Sequence, residues 1–239
     1  MKLPNEIKPC PILEATFEMR FKANIPDDAI FGFVYKAFID RYKNQGALPV
    51  LQIPLQVRTS DPNLLYAPHY RMVCKNFVIQ FGPRVFGLTN VKPYVKWDAF
   101  LIEIENCYKK MVDLGIIANI ERTAVKYVNF FNGLNILEKL TLKISLDNDE
   151  IADSNINFST NIKCDKGERI LKIVAPVEIQ EQVQAKVNKS TGSILEVDSV
   201  FDISKFDTFK EAIVYAHDKE KSLFFKLLTE EYRKSITVS

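Results

Sequence analysis

The chain has 239 residues, of which 47% are hydrophobic and 26% are charged, and only 8 are glycines. This composition excludes a disordered chain and favours a single folded domain with a sizeable core. The formal charge of +2 does not indicate nucleic-acid binding, which uses a strong positive field, and no apolar run is long enough for a membrane-spanning helix.

Four cysteines, Cys10, Cys74, Cys107 and Cys164, lie far apart and form no CxxC pair. The N-terminus lacks the apolar core of a secretory signal, so the sequence predicts a cytoplasmic protein without disulfides. Cys107 falls on the apolar side of a predicted helix and Cys164 on the apolar face of a predicted strand. We expect both to be small core residues.

The first elements in chain order are a strand and a helix. Residues 13–22 alternate between apolar side chains on one face and polar or charged side chains on the other. Apolar residues at helical spacing from Ile30 to Tyr42 then predict a helix that ends by Gly46 and packs on the sheet. Residues 51–57 alternate again, in the pattern of a strand.

Two further strands are predicted at residues 64–74 and 77–88, and the short polar turns between them imply antiparallel pairing. A second helix is predicted over residues 97–114, where apolar residues recur at helical spacing. Residues 116–131 follow as a long strand. The polar segment 132–138 is the best candidate for a join between two halves, although it is too short for a flexible linker.

The second half is predicted to be rich in strands. They lie at residues 140–146 and 156–164, and the latter forms a hairpin with residues 170–175. A second hairpin begins with the alternating Val183, Ala185 and Val187. It turns at residues 188–193 and returns through residues 194–203.

A long C-terminal helix is predicted from Asp207 or Thr208 to about Ser235, with Glu211 as the partner of a capping box. Within it, the charges of residues 218–221 alternate in sign, which is typical of a solvated helix face.

This order of elements predicts an α+β fold with a mostly antiparallel sheet in two intimately packed halves, residues 1–132 and 138–239. Helices are expected on one face, ending with the long C-terminal helix. We expect residues 1–239 to form one compact domain.

Several chemistries are excluded by missing motifs. The chain has no GxGxxG or P-loop sequence, so we predict no nucleotide cofactor. His69 and His217 are the only histidines, which leaves too few ligands for the common zinc sites, and we predict no metal. No GxSxG elbow is present. The acidic pairs Glu103 and Glu105, and Glu230 and Glu231, fall in predicted helices, where a solvated face is the commoner role.

His217, Tyr94 and Trp97 are aromatic candidates for a site. His217 lies at the edge of the apolar stripe of its helix, where a half-buried packing residue is the commoner role and a functional histidine the alternative. Tyr94 and Trp97 flank the start of the second helix. They form either a core anchor or an aromatic platform for a ligand.

Arg122, Lys126 and Asn129 lie on the long strand 116–131. Alternation places the cations Arg122 and Lys126 on one face with apolar neighbours, which indicates either an exposed face paired with acids or a groove. Arg20 and Arg84 lie on comparable strands. A groove lined by these side chains would hold a small anionic ligand or strand.

Several short motifs resemble a sporadically distributed bacterial family of uncharacterised proteins. Its members usually carry Arg followed by Tyr-Ile-Asn in the central strand, and here Arg122 is followed by Tyr127-Val128-Asn129. The other matching stretches are residues 11–21, 94–100 and 195–198, with His217, Phe224 or Phe225, and Thr229. Scattered distribution is typical of genes on mobile or defence islands, so the resemblance implies an accessory role such as phage defence.

The sequence therefore predicts a non-enzymatic binding or accessory protein with an unknown protein partner or a small anionic ligand. The candidate site residues are Arg20, Tyr94, Trp97, Arg122, Lys126, Asn129 and His217. The alternative is an enzyme or nucleic-acid-processing factor with a site around Arg122, Asn129 and His217.

Overall fold

The computed structural model describes residues 4, 6–147, 149–150, 155–183 and 186–237. Its strands are β1 (Ile12–Ala23), β2 (Lys43–Ala47), β3 (Tyr70–Cys74), β4 (Phe77–Gly82), β5 (Val85–Val91), β6 (Ile117–Asn132), β7 (Ser145–Leu146), β8 (Asp149–Glu150), β9 (Ile156–Cys164), β10 (Gly167–Val183) and β11 (Lys186–Phe201). Its helices are α1 (Ile30–Phe38), α2 (Leu55–Ser60), α3 (Trp97–Asp113), α4 (Phe209–Leu227) and α5 (Glu230–Ile236).

The described strands form one nine-stranded sheet in the order β2-β3-β4-β5-β1-β6-β11-β10-β9, and β7 pairs with β8 separately. Every pairing in the large sheet is antiparallel. The predicted α+β class with a mostly antiparallel sheet is therefore confirmed. β6 pairs with β11, so the sheet continues across the segment 132–138 without interruption.

Burial alternates along the central strands as the sequence predicts. In β1, Ala15, Phe17, Met19 and Phe21 are fully buried, whereas the charged residues between them are partly exposed. The buried side of β1 packs in one core cluster with apolar residues of α1, α3 and the start of α4. A second cluster joins β10 and β11 to the end of α4. Burial of this apolar surface is the main term that stabilises the fold.

The C-terminal helix begins as predicted but ends earlier. Thr208 accepts from the Glu211 amide at 3.2 Å and its own amide donates to the Glu211 carboxylate at 3.3 Å, which is a capping box. The helix ends at Leu227, because Leu228 is extended and forms a bridge with Leu140. A separate short helix, α5, follows.

Residues 51–57 are not a strand, and that prediction is wrong. They belong to a 3₁₀ turn, Pro49–Gln52, and to α2, where Leu55 and Val57 are exposed. Pro54 directly precedes α2, where its fixed φ suits the start of a helix. The predicted strand 64–74 is shorter in the structure and corresponds to β3. The predicted strand 77–88 divides into β4 and β5 at a turn that contains Pro83, which has no backbone N–H to donate to a neighbouring strand.

Two predictions in the second half are also wrong. Of residues 140–146, only the last two form a strand. Residues 188–193 are part of β11 rather than a turn, since β10 and β11 pair from Gly167↔Phe201 to Val183↔Lys186. The predicted strand position Ala185 lies outside the described residues. Beyond Ala175 and Gly192, no other strand of the described residues pairs with the hairpin. Polar residues in such an outlying stretch of strand resemble a turn in sequence.

Within the described part of the chain, no helix combines the length and apolar character needed to cross a bilayer.

Candidate functional site

Four of the predicted site residues line one cavity of about 230 Å³: Tyr94, Trp97, Asn129 and His217. Tyr94 precedes α3, Trp97 begins it, Asn129 lies on β6 and His217 lies in the middle of α4. With Tyr127 and Glu220, which line the same cavity, we call them the aromatic pocket. The tertiary structure thus joins segments that are more than 100 residues apart in sequence.

Hydrogen bonds to the backbone hold two walls of the pocket in place. Buried Asn90 accepts at Oδ1 from the Val95 amide at 2.9 Å, which fixes the loop that carries Tyr94 into α3. Asn129 donates from Nδ2 to the Leu195 carbonyl at 3.2 Å, tying β6 to β11 beneath the cavity. These contacts make the pocket a preformed feature of the fold rather than a surface irregularity.

A chain of hydrogen bonds crosses the pocket from Tyr94 to His217. The two hydroxyl oxygens of Tyr94 and Tyr127 lie 3.0 Å apart, and the Tyr127 hydroxyl lies 3.2 Å from Nδ1 of His217. Burial raises the pKa of both tyrosines above the usual value, so both hydroxyls keep their protons. The three side chains therefore satisfy one another.

The imidazole ring of His217 packs against an aromatic ring of α3. The imidazole stacks on the Trp97 indole with centroids 3.8 Å apart and planes 7° from parallel. Burial, with a smaller contribution from the charge of Lys221, lowers the pKa of His217 to about 3. The ring is therefore neutral at physiological pH and serves as a packing and hydrogen-bonding group.

Glu220 is the candidate site residue that the sequence analysis missed. It lies in the segment 218–221 that was predicted to be solvated, yet it is only 5% exposed and lines the aromatic pocket. No hydrogen bond or ion pair of its carboxyl group is found among the described residues. Its oxygens are also absent from the few side-chain atoms fully enclosed without a partner, so they face the cavity. Burial raises the pKa of Glu220 to about 8, against the smaller lowering effect of Lys221.

Helical spacing could have identified Glu220 from the sequence. It follows His217 by three residues and precedes Phe224 by four, so it lies on the same side of α4 as the apolar stripe. The alternating signs of the neighbouring charges obscured that position.

The rim of the pocket is partly charged and partly apolar. Lys96 lies 3.7 Å from the Glu6 carboxylate, so these two charges pair at the rim, and Lys221 lies further along α4. The N-terminal segment that carries Glu6 is fixed by a hydrogen bond of 2.8 Å from the Lys8 amide to the Ile236 carbonyl. Apolar side chains complete the walls: Ile7, Ile12, Phe224 and Phe225.

The other three predicted residues, Arg20, Arg122 and Lys126, lie on the opposite face of the sheet. Strand register pairs Arg20 with Arg122 and Lys126 with Asp198, whereas Tyr127 and Asn129 point to the core side. Arg122 and Asn129 therefore cannot belong to one site with His217.

On that face the arginines are paired with acids. The guanidinium of Arg122 contacts Glu18 and also lies 3.2 Å from Asp198, while Arg20 lies 2.8 Å from Glu18. The Arg20 guanidinium also covers the Tyr66 ring at 4.8 Å. Burial raises the pKa of Asp198, an effect that Arg122 and Lys126 oppose. The charges are therefore paired with acids, which is the alternative to a groove that the sequence analysis gave for this face.

A larger cavity of about 460 Å³ surrounds the other histidine, His69. Its polar groups are largely satisfied by one another, because Arg58 lies 3.1 Å from Nε2 of His69 and Arg84 lies 4.0 Å from Asp27. Burial and the charge of Arg58 lower the pKa of His69. Among the described residues, no group of three or more His, Cys, Asp or Glu side chains is placed to hold a metal ion.

The sequence matches no protein-family model, and no curated protein is significantly similar to it. The resemblance to a sporadically distributed bacterial family stays a prediction, and so do the protein partner, the defence role and the cytoplasmic location.

Proposed function

We propose that this protein is a non-enzymatic binding protein that holds a small ligand in the aromatic pocket. The observation that carries this proposal is the Glu220 carboxyl, which is almost completely buried, faces the cavity and has no partner among the described residues. A buried polar group without a hydrogen-bond partner costs about 1 to 3 kcal/mol. A ligand that supplies the partner would remove that cost.

The size and lining of the pocket favour a metabolite-sized ligand. Its volume of about 230 Å³ is below the range of about 300–1,000 Å³ typical of sites for drug-sized molecules. Rings and aliphatic side chains form most of the wall, with the polar groups confined to a few points. Such a site favours a compact, mostly apolar ligand with one polar group.

Except at Glu220, the pKa values of the groups in the pocket give little support to acid–base catalysis. A general base works best with a pKa near the working pH, and His217 is far below it. Tyr94 and Tyr127 lie far above it. The enzyme alternative would have to rely on Glu220, whose pKa of about 8 is near neutrality.

A stability screen with small molecules tests the binding proposal. A ligand present at about 100 times its dissociation constant stabilises a protein by about 2.7 kcal/mol. We expect such a gain for the wild type, and we expect it to disappear in Cys10→Trp, which places a large ring at the rim of the pocket. The control is Asn119→Trp, an exposed position on β6 outside the lining of the pocket. Equal gains in all three proteins, or none in the wild type, contradict the proposal.

Turnover distinguishes the enzyme alternative. Any compound that stabilises the wild type is incubated with the protein and followed by mass spectrometry. Recovery of the unchanged compound supports a binding protein. Conversion that Glu220→Gln abolishes would support an enzyme.

A further inference from the structure

Resting on the proposed function, the structure also indicates the chemical class of the ligand. We propose that the aromatic pocket binds a small organic amine, whose ammonium group pairs with Glu220 while its apolar body contacts the aromatic walls.

The first step is that several polar atoms of the pocket already have partners. Tyr94, Tyr127 and Nδ1 of His217 form one chain of hydrogen bonds, and Nδ2 of Asn129 donates to the Leu195 carbonyl. Glu220 is the acid that remains without a partner among the described residues. A carboxylate accepts hydrogen bonds and donates none, so its natural complement is a donor.

The second step is charge. A buried carboxylate is stable only when it is paired, and an ammonium group supplies both the opposite charge and up to three donors. An anionic ligand would instead place two acids together in a desolvated space. A neutral ligand could bond to the protonated acid but would gain no charge-assisted hydrogen bond.

The third step is the character of the walls. Trp97, Tyr94, Tyr127, Phe224 and Phe225 line the cavity around Glu220. Aromatic faces attract cations by about 0.5 to 2 kcal/mol, and the effect is largest where water is excluded. The apolar part of the amine would bury its surface against the same rings.

The charges around Glu220 oppose an amine only weakly. On α4 itself, Lys221 is the adjacent cation, and no ion pair between it and Glu220 is found among the described residues. The other elements that line the pocket contribute Tyr94 and Tyr127, which are neutral, and Lys96, which is paired with Glu6. His217 is also neutral. Lys221 is thus the one unpaired cation that an ammonium group would meet among the described residues.

The probes are two amines, each with a matched alcohol and acid: 2-phenylethylamine with 2-phenylethanol and 3-phenylpropionate, and hexylamine with 1-hexanol and hexanoate. Affinities are measured by calorimetry on the full chain at pH 8. We expect at least one amine to bind about tenfold or more tightly than its alcohol, and the acids to bind most weakly.

Two variants connect the effect to the charge of Glu220. Glu220→Gln keeps the shape of the side chain, and we expect it to reduce amine affinity about tenfold or more while alcohol affinity stays within about twofold. Glu231→Gln, an exposed position on α5, is the matched control and should change neither. Lys221→Gln should increase amine affinity, because it removes the nearby cation.

The pH dependence gives a separate readout. Because an ammonium group pairs with the ionised acid, amine affinity should rise as pH increases from 6 to 8, by up to about tenfold per pH unit. Alcohol affinity should stay level.

The outcomes separate the two proposals. If neither amine exceeds its alcohol, or if Glu220→Gln binds both amines as well as the wild type does, the amine proposal is wrong. If the alcohols or acids still bind and Cys10→Trp prevents it, the binding function survives without the amine. If none of the six probes binds and the broader screen also finds no ligand, both proposals fall.

Discussion

Polar side chains are paired differently in the aromatic pocket and on the face of the sheet that carries Arg20, Arg122 and Lys126, which we call the arginine face. On the arginine face, each guanidinium lies against a carboxylate, and Glu18 bridges Arg20 and Arg122. In the pocket, the Tyr94 and Tyr127 hydroxyls and Nδ1 of His217 form one hydrogen-bond chain, whereas no partner of the Glu220 carboxyl is found among the described residues. On the arginine face, Asp198 has one buried oxygen, Oδ1, without a partner, but its other oxygen meets Arg122, whereas neither oxygen of Glu220 has a partner among the described residues. This contrast directs the search for function to the pocket.

The largest expected effect concerns Glu220 and pH. The native pKa of about 8 is above the reference value of 4.5, so between these values the folded protein holds a proton that the unfolded chain has released. The contribution of Glu220 to the free energy of unfolding is therefore fully present below pH 4.5 and is lost as pH rises to about 8. Glu220→Gln does not titrate. Denaturant unfolding at pH 5 and pH 9 should show that the wild type loses about 4 kcal/mol more than the variant.

Glu231→Gln is the control for that measurement, since it removes an exposed acid from α5. It should follow the wild type at both pH values. A Glu220→Gln curve parallel to the wild type would mean that Glu220 is ionised or solvated in the native state, and the contrast between the two regions would disappear.

The next effect concerns Arg122, whose side chain is 22% exposed. Arg122→Ala leaves Glu18 with one partner fewer and Asp198 without its guanidinium, so unfolding free energy should fall by about 2 to 3 kcal/mol, below the range for a fully buried pair. Arg20→Ala removes a more exposed partner of Glu18 and should cost less than about 1 kcal/mol. Urea denaturation at pH 7 measures both. A loss below about 1 kcal/mol for Arg122→Ala would restore Arg122 as a candidate recognition residue.

A smaller effect tests the hydrogen-bond chain of the pocket. Tyr127→Phe removes the middle hydroxyl and leaves both Tyr94 and Nδ1 of His217 without that partner, which should cost about 1 to 2 kcal/mol. Tyr94→Phe removes only the end of the chain and should cost about half as much. Equal losses in the two variants would show that the hydroxyls do not act as one chain.

The smallest effect is expected at Lys126, on the arginine face. No ion pair of Lys126 is found in the described part of the chain, so Lys126→Ala should change unfolding free energy by less than about 0.5 kcal/mol. A larger loss would mean that Lys126 is needed to balance Asp198.

A buried acid escaped the sequence analysis in α3 as well as in α4. Glu103 was predicted to lie on a solvated helix face, but it is 4% exposed and accepts from the Tyr42 hydroxyl at 2.5 Å and from Arg41. Its partners are about 60 residues away in sequence, so local pattern could not reveal them. Glu220 differs because its partner is missing within the described chain.

Sequence by itself determined the elements with strong periodicity. The alternation of β1, the apolar stripe of α3, the long strand β6 and the capping box of α4 all follow from local patterns, because side-chain direction repeats every 2.0 residues in a strand and every 3.6 in a helix. Strand parity also separates Arg122 from Asn129, although the sequence analysis grouped the two residues in its alternative site. The predictions for residues 51–57 and 188–193 are wrong because a short alternation also fits a turn and a helix, and because the polar run 188–191 also fits an exposed stretch of strand.

Only the tertiary structure decided which candidates meet. The stacking of His217 on Trp97, the contact of Tyr94 with Tyr127 and the cavity that Glu220 faces depend on how α3 and α4 pack on the sheet. The same packing decides the charge state of Glu220, since burial by elements distant in sequence is the main cause that raises its pKa.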